Sequence, residues 1–181
     1  RQVSAFVSVM KGCDKFCSFC IVPYTRGREV SRPAAEIIDE IRQLADQGTK
    51  EVVLLGQTVN SYGKRQRDGH IPFHELLYRV AEVDGIERIR FTSPHPSDFR
   101  EEQILAFRDL PKLCPHMHLP VQSGSSRVLK LMRRSYTRER YLEIVHRLRE
   151  VAPHVALGTD IIVGFPGETE ADFEEPLSLV R

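Results

Sequence analysis

An apolar run that stops at a small, polar motif and then gives way to a helical pattern recurs five times along these 181 residues. This repeat constrains the fold more than any other feature. Its clearest copy is Val52-Val53-Leu54-Leu55, a continuous run of the kind buried in a parallel sheet, which ends at Gly56-Gln57. The other runs cover residues 3–9, ending in a cysteine-bearing loop, and 86–91, ending in Ser93-Pro94-His95-Pro96. Residues 117–121 end in Gln122-Ser123-Gly124, and residues 155–163 end in Gly164-Phe165-Pro166-Gly167.

Helical spacing fills the intervals. Ile37, Ile38, Ile41, Leu44 and Ala45 lie between Pro33, tolerated in a first turn, and Gly48, which closes the helix. Phe73, Leu76, Leu77, Val80 and Ala81 form a second stripe, and a helix is expected around Ile104, Leu105 and Phe107. A short helix carries Val128, Leu129 and Met132 behind a Ser125 cap, and a longer one, capped by Thr137, carries Tyr141, Ile144, Val145 and Leu148. Thr169 caps a last helix that contains Pro176, which should kink or end it at about 3 kcal/mol. Residues 21–29, with Pro23 and Gly27, read as irregular.

Strand followed by helix, repeated, predicts a parallel sheet with right-handed crossovers. Sites in such sheets form outside the carboxyl ends of the strands. All five polar motifs fall at those ends, so the chain reads as an α/β protein, a partial barrel with its functional loops on one rim.

Three of the four cysteines sit on that rim. Cys13, Cys17 and Cys20 are spaced C-x3-C-x2-C, so their thiols can converge on one inorganic group and leave a coordination position open. An iron–sulfur cluster, a zinc ion, structural thiols and a redox pair all remain possible readings of that spacing. Cys114, far from the others, reads as a small buried residue, and His95, His116 and His118 as non-ligands. Lys plus Arg number 26 against 25 Asp plus Glu, a net charge of +1, which argues against a chain whose main task is gripping nucleic-acid phosphates. No apolar run approaches membrane-spanning length, and the chain reads as an excised piece of a longer protein.

The cysteine spacing, with Phe19 just before the last cysteine, resembles the signature of radical S-adenosylmethionine enzymes. Gly12-Cys13-Asp14-Lys15-Phe16-Cys17, Pro23-Tyr24-Thr25-Arg26-Gly27 and Ser31-Arg32-Pro33 resemble the methylthiotransferases within that group. So do Pro120-Val121-Gln122-Ser123-Gly124-Ser125 and the run Thr159 to Thr169. Leu55 to Gly63 and Ser93 to Phe99 are similar to the tRNA-modifying, MiaB-type branch, more than to the branch acting on a ribosomal-protein aspartate.

The resemblance implies a partial (β/α)6 TIM-like barrel of the radical SAM type over residues 1–181. It implies that Cys13, Cys17 and Cys20 bind three irons of a [4Fe–4S] cluster whose fourth iron takes S-adenosylmethionine. Reductive cleavage to a 5′-deoxyadenosyl radical then starts methylthiolation at C2 of an isopentenylated adenosine beside the anticodon. Phe19, Gly56, Gln57, Gln122, Ser123, Asp160, Gly164 and Phe165 are the implied cofactor contacts, although turn and cap roles are open for several. Arg26, Arg28, Arg133 and Arg134 are candidates for phosphate contact, and the tip Lys64-Arg65-Gln66-Arg67 is a weaker one.

By the same resemblance, a second [4Fe–4S] cluster belongs to an N-terminal domain and an RNA-binding domain follows, neither present in these residues. The implied partners are tRNA, through its anticodon stem-loop, and an electron donor such as flavodoxin or ferredoxin. A cytoplasmic monomer without membrane contact is expected. A non-catalytic zinc module is the remaining alternative.

Overall fold

The computed structural model describes residues 2–64 and 71–180. The chain opens with strand β1 (Ser4–Ser8) and the short β2 (Met10–Lys11), then a four-residue helix α1 (Val22–Thr25) and β3 (Val30–Ser31). Helix α2 (Ala34–Asp46) and strand β4 (Glu51–Leu55) follow, then α3 (Phe73–Ala81), β5 (Arg88–Phe91) and α4 (Glu101–Asp109). Strand β6 (His116–His118), helices α5 (Ser126–Leu131) and α6 (Arg138–Val151), strand β7 (Ala156–Gly158) and helix α7 (Glu170–Val180) complete it.

Strands β1, β4 and β5 form a parallel sheet in that order, and β6 pairs with β7 in parallel. A parallel bridge ties β5 to the segment that leads into β6: Ile89 N–H donates to the Lys112 carbonyl (2.8 Å) and Cys114 N–H to that of Ile89 (3.0 Å). The strand order therefore runs with the sequence, β1-β4-β5-β6-β7, as in a barrel that has not closed.

Residues facing the helices are the apolar ones. Ala5 pairs with Val52 and Val52 with Ile89, while Val7 pairs with Leu54, all buried. Against them α2 packs Ile37, Ile38 and Ile41, and α3 packs Leu76, Leu77 and Val80. Each such side chain contributes about 1.5–3 kcal/mol on burial. The opposite, inner face is polar at its lower end, where Glu51 accepts hydrogen bonds from Ser4, Arg88 and Arg90. No described helix is long and apolar enough to cross a membrane.

Three expectations change. The stretch after the cysteines is not irregular throughout: it holds α1, and β2 and β3 pair antiparallel, so a small hairpin brackets the loop. The run 155–163 is a regular strand only at 156–158, because Val121 N–H bonds the Thr159 hydroxyl (2.9 Å) in place of a backbone carbonyl. The ladder resumes at Gln122, whose N–H bonds Asp160 (2.9 Å) and whose carbonyl accepts from Ile162 (2.8 Å). Pro176 does not end α7. It is buried against the turn at Gly124, where a Cβ would lie 2.4 Å from the Pro176 nitrogen, and this packing carries the helix on to Val180.

Candidate functional site

The cysteine loop hangs from the β2/β3 hairpin. Gly12, at φ +75°, starts it, and a Cβ there would lie 2.1 Å from the Arg28 carbonyl oxygen, so only glycine fits. Cys13 N–H bonds the Gly27 carbonyl (3.2 Å) across the hairpin, and Cys20 N–H bonds that of Cys17 (3.1 Å). Within the loop Phe16 takes φ +49°, one of four non-glycine residues with positive φ among the described residues. Of the others, Ser93 and Gln122 lie in strand-end loops and Arg133 just past the end of α5. Strained backbone of this kind gathers where structure over-determines a site.

Cys13 and Cys17 are buried and Cys20 is half-buried, all as free thiols. Burial pushes the Cys13 thiol up, partly offset by the Lys15 backbone N–H, and the neighbouring Cys17 raises it further. Cys17 Sγ accepts a hydrogen bond from Arg134 Nη1 at 3.2 Å. Among the described residues, no three His, Cys, Asp or Glu side chains lie together as ligands of a single metal ion. A cluster presents a separate iron to each thiolate, and this donor set of soft thiols with N–H groups aimed at them fits such a group.

The loop is fastened on two sides. Ser18 donates through its N–H to the Met132 carbonyl (3.1 Å) and through its hydroxyl to Leu131 (3.0 Å), at the end of α5. On the other side Lys15 Nζ pairs with Asp98, which also receives Lys64 Nζ (2.7 Å) and the Ser61 hydroxyl. Burial raises the Asp98 pKa, and these three donors more than reverse it, holding the carboxyl well below its usual range.

Beside Asp98, Asn60 and His95 exchange bonds: His95 N–H to Asn60 Oδ1 (2.7 Å) and Asn60 Nδ2 to the His95 carbonyl (3.0 Å). The His95 ring accepts Ser97 N–H on Nδ1 (3.2 Å), so its proton sits on Nε2, a buried atom without a hydrogen-bond partner among the described residues. Burial, with Arg134 and Lys15 nearby, lowers its pKa to about 2.

The expected cofactor contacts divide by place. Phe19 and Phe165 meet edge to face at 6.4 Å between centroids, which brings the first and last strand-end motifs together. Gln57 keeps a buried Oε1 with no partner among the described residues, an acceptor available to a bound group. Gln122 sits half-buried at φ +69°, held by its two ladder bonds. Gly164 opens onto free space.

Three others have protein partners already. A Cβ on Gly56 would lie 2.6 Å from Met10 Cγ, so packing alone requires that glycine. Ser123 is fully buried and its hydroxyl accepts Ser125 N–H (3.1 Å) within the turn. Asp160 is exposed and faces His118, Oδ2 to Nε2 3.0 Å.

The basic residues divide as well. Arg26 is exposed at the end of α1, and Arg28 pairs with Asp14 (2.7 Å). Arg133 is exposed and, with Lys15, Lys64, Asp14 and Glu29, lines a cavity of about 310 Å³ beside the loop. Arg134 is not directed at solvent for phosphate contact, because its guanidinium is spent on Cys17 and Tyr136. Arg65, Gln66 and Arg67 lie outside the described residues. Sequence reasoning missed Asp98, Asn60 and Tyr136; the signal for the first two was a place in the loops after β5 and β4, and Tyr136, between α5 and α6, carried none.

The sequence profile of the Radical SAM superfamily matches residues 7–180. A curated tRNA-2-methylthio-N(6)-dimethylallyladenosine synthase from Caldicellulosiruptor saccharolyticus is 62% identical over 179 residues, 99% of this chain and 38% of that protein. A protein of the same name from Syntrophotalea carbinolica is 57% identical over 180 residues, 99% of this chain and 41% of its own. The chain thus spans about two-fifths of the length of these relatives. Among solved structures, the radical S-adenosylmethionine methyltransferase TsrM from Kitasatospora setae, with tryptophan and a cofactor analogue bound, superposes with a TM-score of 0.72. That match has 23% identity and covers 99% of this chain and 34% of TsrM. The cobalamin-dependent radical enzyme OxsB gives a TM-score of 0.74 at 14% identity, over 96% of this chain and 26% of its own. Both show the shared fold.

Proposed function

Because this chain belongs to the Radical SAM superfamily, we propose that it is the catalytic core of a tRNA methylthiotransferase, acting at C2 of an isopentenylated adenosine beside the anticodon. The observation that carries this reading is the identity of 54–62% to synthases of that name across 99% of the chain. Cys13, Cys17 and Cys20 would hold a [4Fe–4S] cluster, which when bound supplies an electron to S-adenosylmethionine.

The chain's own residues bind and orient. Gly12 and the hairpin fix where the thiols start, and Lys15 with Asp98 fixes how the loop lies against the β4 and β5 ends. Phe19 and Phe165 form an apolar wall at the rim, where Gln57 Oε1 and the Gln122 side chain offer acceptors and donors to the cofactor's polar end. Arg26, Arg28 and Arg133 are the residues left to meet tRNA phosphates. The sulfur to be inserted comes from elsewhere in a longer protein, as does most of the grip on RNA, in keeping with a net charge of +1.

Anaerobic reconstitution with iron and sulfide, then S-adenosylmethionine and dithionite, tests the core: a brown protein releasing 5′-deoxyadenosine and methionine is expected. A colourless, zinc-loaded product would overturn it. For the substrate, mass analysis of tRNA from a strain lacking the gene should show loss of the methylthio group. Intact methylthiolated tRNA with an unmodified ribosomal-protein aspartate would instead favour the protein-modifying branch.

A further inference from the structure

Arg134 joins the cysteine loop to the last turn of α5 and to the end of β6. Helix α5 closes with Arg133 at φ +56°, and Arg134 N–H reaches back to the Leu129 carbonyl (2.8 Å) while Arg133 N–H reaches Lys130 (3.0 Å). This is a Schellman-type closure with an arginine where glycine is usual. The same turn offers the Leu131 and Met132 carbonyls to Ser18.

The Arg134 guanidinium is held at three points. Nη1 donates to Cys17 Sγ at 3.2 Å, Nε donates to the Tyr136 hydroxyl at 3.1 Å, and the group lies 5.2 Å from the Tyr136 ring centroid. Tyr136 is itself buried, with its hydroxyl donating to the Val121 carbonyl (2.8 Å) and its ring edge-on to His95 at 5.5 Å. A planar donor anchored this way has one position available to it, unlike a lysine ammonium on a flexible stem.

We propose that Arg134 positions Cys17 and sets the reduction potential of the group it ligates, a role that rests on the cluster reading above. A cationic N–H donor on a ligand sulfur stabilises the electron-richer state, so it favours uptake of an electron by the bound cluster. Tyr136 is the positioning residue behind it.

The test is a redox titration, monitored by electron paramagnetic resonance, of the reconstituted chain as wild type, Arg134→Leu, Arg134→Lys and Tyr136→Phe, with iron and sulfide content measured in each. Arg134→Leu should shift the one-electron reduction equilibrium about tenfold toward the oxidised cluster, about 59 mV more negative. Arg134→Lys keeps the charge and loses the fork, so its midpoint should fall between. Tyr136→Phe should move it least, in the same direction. Unmoved midpoints at full cluster content overturn the proposal. If Arg134→Leu does not load, the other two variants decide by the same criterion. A wild type that takes up no cluster at all overturns the underlying reading, and this proposal with it.

Discussion

Asp98 and Asp172 fasten the two ends of the rim by different means. Asp98, just past β5, is buried and gathers Lys15 from the cysteine loop with Lys64 and Ser61 from the loop after β4. Asp172, in the first turn of α7, gathers Arg127 and Ser125 from the start of α5 and Thr169 from its own helix start. Both carboxyls are held well below the usual range, Asp98 against its burial and Asp172 chiefly through Arg127. The difference is what each one restrains. Asp98 ties the cysteine loop directly to two strand ends. Asp172 performs capping and ties the β6 and β7 loops, reaching the cysteines only through α5.

That contrast is sharpest at Asp98→Ala. Breaking a buried pair costs about 3–5 kcal/mol. Lys64 is half-exposed and can rehydrate, which brings the expected loss to about 2–4 kcal/mol by urea unfolding at pH 7, together with poorer cluster retention. The carboxylate's contribution is present above its ordinary pKa and fades as pH falls below about 4, so Asp98→Asn should flatten that acid limb. Equal loss of cluster retention in Asp172→Ala would break the comparison.

Two glycines separate the halves next. Gly12→Ala forces a Cβ against the Arg28 carbonyl, and Gly124→Ala forces one against the Pro176 backbone. Each should cost about 1–3 kcal/mol by thermal unfolding. Gly12→Ala should also abolish iron uptake, which Gly124→Ala should leave intact.

His95 gives the Asp98 half a pH signature. Folded, it stays neutral down to about pH 2; unfolded, it takes a proton near 6.5. Stability is therefore complete above about 6.5 and falls by about 1.4 kcal/mol per pH unit below it, some 2 kcal/mol by pH 5. His95→Gln should remove this slope in urea midpoints measured from pH 7 to 5. The smallest effect belongs to the other half: Ser125→Ala loses the cap on Val128 N–H and a bond to Asp172, about 1 kcal/mol.

The strand–helix order, the caps at Ser125, Thr137 and Thr169, and the cysteine loop were legible because each rests on neighbours in sequence. Apolar periodicity locates a buried face, and a cap needs only its own helix start. The β2/β3 hairpin was not legible, since two residues pair with two others about twenty positions on and neither pair carries a period. That α7 runs on past Pro176 was not legible for a related reason. The rule against proline inside helices concerns one helix, and the turn at Gly124 that supports this one lies 52 residues away (176 − 124).

Arg134 shows the same limit in the site. In the sequence it is one of 26 basic residues, half of the pair Arg133-Arg134, and a phosphate contact is a fair expectation for either. The positive φ at Arg133 then separates them, leaving Arg133 exposed and turning Arg134 toward Cys17. The sequence by itself determined that three thiols, at C-x3-C-x2-C within eight residues, share one loop, because that spacing is a property of the local chain. Tertiary structure alone decided what surrounds those thiols. Asp98 and Arg134 reach the loop across 83 and 117 residues of chain, and only packing brings such separations to bonding distance.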